Sequence, residues 1–252
     1  VNWFAHCYNE LLKRNSIDRK KVIAIGMSFG GGLLLKASLD ERISKNPPRS
    51  FMTFGTYNNL QTTLKYLCTG ELNIDGKSYF IKPHEWGLVV LLHNFFNKFN
   101  FKEIEDCRDK VKEIIALRIA DDLDKVEQEM KSLPVLAQSF LHDIFDANVK
   151  DDILDEINRV IGQEQSYIEF LSPEFWVDKI NNKVFIMHGS NDSMVPYTES
   201  IELDKNIKDS SLFISYMYEH KEISTNRGIL FKVKEIIKMF LFFRGYFKYN
   251  ES

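Results

Sequence analysis

Cysteine is scarce: Cys7, Cys68 and Cys107 are the only three in 252 residues, far apart and without a Cys-x-x-Cys pair. That spacing argues against a disulfide framework and against a zinc site, and it points to a reducing compartment. Long apolar runs are missing too. The longest, Trp86–Leu92 and Met239–Phe243, fall well short of the roughly 18 residues that a membrane span requires. Neither sign of charge dominates, because a net charge of −3 and a pI near 6.1 supply no global attraction to nucleic acid. No internal repeat or low-complexity tract interrupts the chain. It starts at Val1 rather than at a methionine, which is compatible with a signal or anchor removed upstream.

What is present is a large apolar complement, 44% hydrophobic and 13% aromatic, enough for a sizeable core. It is organised around Lys21–Gly32, a β-branched run that ends at Gly26, followed by Ser28 and a glycine-rich entry into Leu33-Leu34-Leu35-Lys36-Ala37. Gly26-x-Ser28-x-Gly30 is the pattern of a nucleophile elbow, in which a sharp strand-to-helix turn exposes a serine at the start of a helix. Three fixed positions alone match by accident in roughly one chain of this length in ten, so the strand before and the helix after carry the signal. The expectation is that Gly26 and Gly30 lack side chains so that strand and helix can approach closely.

Before the elbow, Trp3–Arg14 has helical spacing of Trp3, Phe4, Leu11 and Leu12; after it, Ser50–Gly55 reads as a second short strand, which with the elbow strand and the helix to about Leu39 makes a parallel βαβ unit. Between Leu60 and Leu171 the period becomes 3.6, over Leu60–Cys68, Glu85–Phe99, Glu103–Ile119, Leu123–Ser132, Val135–Phe145 and Ile153–Ile161, with only Tyr79-Phe80-Ile81 suggesting a strand. Alternating charges such as Lys102-Glu103-Ile104-Glu105-Asp106 mark solvated helix faces. Alternation of strand and helix resumes with Lys183–Gly189, a polar turn 190–196, a helix through Ser200–Leu203, a strand Ser211–Tyr216, the loop Tyr218–Glu222 and a helix over Arg227–Phe243. The fold class expected is α/β, a parallel sheet of about four strands flanked by helices with a large helical insertion. The expected division is 1–59 as the first part of the core, 60–171 as the insertion and 172–252 as the second part of the core.

A serine hydroxyl needs a base to take its proton and a carboxylate to orient that base. Asp192 follows the strand through Met187, and His220 follows the strand through Tyr216, so in a parallel sheet both leave at the same carboxyl edge as Ser28. These features resemble the α/β-hydrolase family in order and spacing: the elbow 26–30, the acid-bearing segment His188–Pro196 and the Glu219-His220 loop. The acid loop is similar to that of dienelactone-hydrolase and prolyl-oligopeptidase relatives, with the helical stretch where the family inserts its cap. The resemblance implies Ser28 as nucleophile, His220 as general base, Asp192 as orienting acid and the N–H of Phe29 as an oxyanion donor. It implies hydrolysis of a carboxylic ester, lactone or amide of a small molecule through an acyl-serine intermediate, with no metal or organic cofactor. The opposing reading is a non-enzymatic hydrolase-like binding protein or an inactive fragment.

Several readings compete residue by residue. Asp192 could instead cap the following helix, and His188, at a strand end, is expected to support the acid loop rather than act as base. The last helix carries Lys232, Lys234, Lys238 and Arg244 around Ile236, Ile237, Phe240 and Phe243, and packing on the sheet is favoured over binding an anionic membrane. The family's elbow strand follows four others, whereas here one helix precedes it. The chain is therefore expected to be a fragment, with Val22–Ile25 an exposed, pairing-prone edge and one oxyanion donor missing.

Overall fold

A computed structural model describes residues 1–74, 76–219 and 228–251. In chain order its elements are α1 (Asn2–Leu12), β1 (Ala24–Met27), α2 (Phe29–Ala37), α3 (Glu41–Ser44), β2 (Phe51–Phe54), α4 (Leu60–Thr69), β3 (Glu71–Ile74), β4 (Lys77–Phe80), α5 (Trp86–Phe95), α6 (Arg108–Ile119), α7 (Leu123–Met130), α8 (Val135–Phe145), α9 (Asp151–Gln163), α10 (Gln165–Leu171), β5 (Val184–Asn191), α11 (Tyr197–Asn206), β6 (Ser210–Glu219) and α12 (Ile229–Glu251), joined in places by short 3₁₀ turns. They form two compact units, Val1–Thr63 with Ser166–Ser252, and Leu64–Gln165.

The first unit is built on a parallel sheet of order β1-β2-β5-β6, with Ala24 beside Phe51, Phe51 beside Val184 and Val184 beside Ser210. The two central strands, β2 and β5, are buried on successive residues because both of their faces are covered. Phe51, Val184 and Ile186 point to a core shared with Leu34, Leu35 and Ala37 of α2 and Leu203 of α11. Met52, Phe185, Met187 and Phe213 point the other way, onto Met239, Phe242, Phe243 and Tyr246 of α12. Phe185 receives Phe242, Tyr246 and Tyr249 edge-on at 5.9, 5.1 and 5.9 Å, contacts worth about 0.5–1.5 kcal/mol each beyond area burial.

Those aromatics explain why α12 runs to Glu251 and not to Phe243, where the sequence reading ends it. The last turns are also tied to the start of β2: Arg49 Nε donates to Tyr249 O at 2.8 Å and Ser50 Oγ to Asn250 Oδ1 at 2.8 Å. α12 thus packs on the sheet with one face, while Ile237, Phe240 and Leu241 on the other face are exposed. Among the described residues no helix is long and apolar enough to cross a membrane.

β1 pairs with β2 and, among the described residues, with no other strand. Ala24 and Gly26 face α2, but Ile25 and Met27 remain 56% and 68% exposed, so the edge expected from the sequence is present. In α1 the buried residues are Ala5 and Leu12. Trp3, which the spacing assigns to the inward stripe, is instead largely exposed.

The second unit is helical. Leu88 and Leu92 of α5, Val111, Ile114 and Ile115 of α6 and Phe140, Leu141 and Ile144 of α8 are buried, while ion pairs such as Lys98–Glu164 and Lys125–Asp122 lie at its surface. It also contains a hairpin that the sequence reading reduces to Tyr79–Ile81: β3 and β4 pair antiparallel, Glu71 opposite Phe80 and Ile74 opposite Lys77. The strands have four residues each and β4 is exposed throughout, so no alternation develops. The available signal is the Asp75-Gly76 dipeptide, and Gly76 has φ +75°.

Candidate active site

The elbow forms where β1 runs into α2. Ser28 stands between them at φ 50°, ψ −133°, a backbone conformation that costs a non-glycine residue about 1–3 kcal/mol. Three hydrogen bonds hold it there. Ser28 N–H donates to Phe54 O at 2.7 Å, and Ser28 O accepts from Gly31 N–H at 3.0 Å and from Thr56 Oγ1 at 2.7 Å. The Ser28 side chain makes no capping bond to the helix and is half-exposed.

The expectation that Gly26 and Gly30 are the close-approach residues needs correction. A Cβ on Gly26 would lie 2.7 Å from Gly31 Cα, so Gly26 is required. A Cβ on Gly30 would meet nothing within 4 Å. Its place as strand's neighbour is taken by Gly31, where a Cβ would come 1.8 Å from Thr56 Oγ1. The reason is helical: from the turn onward side chains advance 100° per residue, and Gly31 faces the sheet while Gly30 faces away.

Phe29 opens α2, so its N–H belongs to the first turn and has no acceptor within the helix. Its ring stacks on Tyr57 at 5.5 Å with planes 21° apart. A helix N-terminus with such donors and its positive dipole end favours a negative charge beside Ser28.

On the acid side β5 is longer than the sequence reading allows. It carries His188, Gly189 and Ser190 within the strand, as far as Asn191, and Asp192 comes directly after. Asp192 is buried, and its Oδ1 accepts from Met194 N–H at 2.8 Å and Val195 N–H at 2.9 Å. It therefore closes its own turn and does not cap α11, which starts at Tyr197 after Pro196. His188 is fully buried. Its Nδ1 lies 2.6 Å from Ser200 Oγ, and its Nε2 lies 2.9 Å from Val195 O and 3.4 Å from Asp192 Oδ2. A carbonyl only accepts, so Nε2 carries the proton and, in the neutral ring, Nδ1 accepts from Ser200.

Elbow and acid turn meet at the end of β2. Phe54 O takes the Ser28 N–H, and a Cβ on the next residue, Gly55 (φ +60°), would lie 3.1 Å from Asp192 Oδ2. His220, the expected base, lies outside the described residues. β6, which the sequence reading ends at Tyr216, continues to Glu219.

Sequence reasoning missed Glu199. Buried in the first turn of α11, it accepts from Asn58 N–H at 2.9 Å and Asn59 N–H at 2.7 Å through Oε2, and from Thr62 Oγ1 at 2.5 Å through Oε1. It thereby holds the loop that follows β2. Burial raises its carboxyl pKa, opposed by those hydrogen bonds. Its partners stand 137 to 141 positions away in sequence, so no local pattern could reveal them. Among the described residues no three His, Cys, Asp or Glu side chains cluster as a metal site.

A family model described as BD-FAE matches residues 88–207, a span that includes Asp192 but neither Ser28 nor His220. Among curated proteins none matches the chain. Solved structures similar to it include an esterase, EaEST, from Exiguobacterium antarcticum (18% identity, 98% of this chain and 72% of that one, TM-score 0.40). Acetyl xylan esterase 1 from Thermoanaerobacterium sp. JW/SL YS485 is also similar (14%, 94% and 50%, 0.41), as is an acylaminoacyl peptidase from Pyrococcus horikoshii (11%, 96% and 26%, 0.43). The chain's own geometry, a parallel β1-β2-β5-β6 sheet with a strained serine between its first strand and helix, is that of an α/β fold, and the BD-FAE match over 88–207 is consistent with the α/β-hydrolase superfamily.

Proposed function

We propose that the chain hydrolyses a carboxylic ester of a small molecule by acyl transfer to Ser28. The observation that carries this reading is the Ser28 backbone, φ 50° and ψ −133°, at the carboxyl edge of a parallel sheet and at the start of a helix. Strain of this kind persists only where the surroundings enforce it. In the proposed reaction the Ser28 hydroxyl attacks the ester carbonyl and gives its proton to His220, and the Phe29 N–H stabilises the oxyanion. Collapse of the tetrahedral intermediate expels the alcohol, which takes the proton from His220, and water then releases the acid by the same sequence. Asp192 orients His220. Its Oδ1 is engaged by two backbone N–H groups, which keep the carboxylate in place.

Labelling with a fluorophosphonate probe tests the proposal. Stoichiometric attachment at Ser28, lost in Ser28→Ala and strongly reduced in His220→Ala, is expected, together with turnover of p-nitrophenyl acetate that follows the same order. Asp192→Ala should be milder, because an imidazole that is poorly oriented still accepts a proton. Equal labelling and turnover in Ser28→Ala and wild type would refute the assignment.

A further inference from the structure

Between the elbow and the acid turn runs a connected set of buried polar contacts that take no part in bond making. Thr56, next to Gly55, is fully buried; its Oγ1 donates to Ser28 O at 2.7 Å, and its own carbonyl, 3.4 Å from Ser200 Oγ, is the longer arm of a forked hydrogen bond in which the single Ser200 hydroxyl proton points mainly to His188 Nδ1. Ser200 is fully buried in α11, with its hydroxyl 2.6 Å from His188 Nδ1. His188 Nε2 continues to Val195 O at 2.9 Å and to Asp192 Oδ2 at 3.4 Å. The path begins on the backbone of the proposed nucleophile and ends on the turn of the proposed acid. Each buried hydroxyl or ring nitrogen on it would be costly if unpaired, so displacing one member disturbs its neighbours. Space for the path is reserved at Gly31, whose missing side chain leaves room for Thr56 Oγ1.

We propose that Thr56, Ser200 and His188 are positioning residues that lock the serine elbow and the acid turn into one register, an inference that rests on the hydrolase reading above. None supplies a group to the reaction. Thr56 acts through the Ser28 carbonyl, and His188 and Ser200 act through the Asp192 turn. Misplacement of a catalytic group by about 1 Å can cost on the order of 100-fold in rate, which is the scale on which such a lock matters.

The test uses the full chain with Thr56→Val, Ser200→Ala and the conservative Thr56→Ser. Amide hydrogen exchange at Met194 and Val195, the two donors to Asp192 Oδ1, reads the coupling without any need for activity. Thr56→Val, a change at the elbow, should accelerate exchange at both amides by about tenfold, the effect of one lost hydrogen bond, while α1 keeps its wild-type rates and Thr56→Ser stays near wild type. In p-nitrophenyl acetate hydrolysis, Thr56→Val and Ser200→Ala should lower kcat by about 10–100-fold with KM nearly unchanged, and Thr56→Ser should recover most of it. Unchanged exchange at Met194 and Val195 in both disruptive variants overturns the proposal, as does acceleration that extends equally to α1. Full kcat in Thr56→Val and Ser200→Ala, with a Ser28-dependent wild type, overturns the positioning role and leaves the hydrolase reading standing. An inactive wild type refutes the hydrolase reading, and the exchange rates then decide the coupling on their own.

Discussion

Gly30 and Gly31 are consecutive in the first turn of α2, and alanine at each separates helix preference from steric demand. Alanine favours a helix over glycine by about 1 kcal/mol in an interior position. At Gly30 an added Cβ meets nothing within 4 Å, so Gly30→Ala should be neutral or stabilising by up to about 1 kcal/mol. At Gly31 the Cβ would stand 1.8 Å from Thr56 Oγ1, 3.0 Å from Thr56 Cβ and 3.3 Å from Gly26 O. No small shift relieves 1.8 Å. Thr56 must leave its rotamer or move away, an overpacking cost of about 1–3 kcal/mol, and its hydrogen bond to Ser28 O, worth about 1 kcal/mol, is lost as well. After the helix gain of about 1 kcal/mol, Gly31→Ala should destabilise by about 1–3 kcal/mol. Thermal denaturation followed by circular dichroism converts this to a fall of about 2–4 °C per kcal/mol, against no fall for Gly30→Ala. Gly31→Ala combined with Thr56→Ala removes the 1.8 Å contact and should recover part of the loss. Equal midpoints for Gly30→Ala and Gly31→Ala would refute the reasoning.

Glu199 should make stability depend on pH. Because burial raises its pKa above the ordinary 4.5, the folded chain holds the proton more tightly than the unfolded one, and this contribution is largest below about pH 4.5 and is lost as pH rises through the raised value. Glu199→Gln should therefore flatten the decline of the urea midpoint with rising pH above about 4.5, and an unchanged slope would contradict the assignment. Ile25→Lys places a charge on the exposed face of the edge strand β1. It should slow aggregation measured by light scattering while changing stability by no more than about 0.5 kcal/mol, and equal aggregation in both proteins would show that β1 is not the sticking edge.

The features legible in the sequence are those whose cause is local. Lys21–Gly32 announces an elbow because strand, turn and helix each depend on residues a few positions apart, and the buried strands Phe51–Phe54 and Val184–Met187 are readable as apolar runs because both their faces are covered. The helix over 135–145 follows from spacing for the same reason, whereas Glu103–Ile119, read as one helix, divides into a 3₁₀ turn over Lys102–Cys107 and α6 from Arg108. Other features depend on what comes near from elsewhere in the chain. Gly-x-Ser-x-Gly names Gly30, yet only the approach of Thr56 shows that Gly31 is the glycine the packing requires. His188 reads as loop support, and its bond to Ser200 across 12 positions together with its bond to the Val195 carbonyl explains how the support works. Glu199 carries no signal, since the backbone N–H groups that make it useful lie 140 and 141 positions away. The extension of α12 beyond Phe243 likewise depends on Phe185 waiting beneath Tyr246 and Tyr249. Backbone preference and hydrophobic period act over a few residues and so are written in order along the chain, whereas a buried hydrogen bond or a steric limit exists only once distant segments share a volume, and those were decided by the tertiary structure.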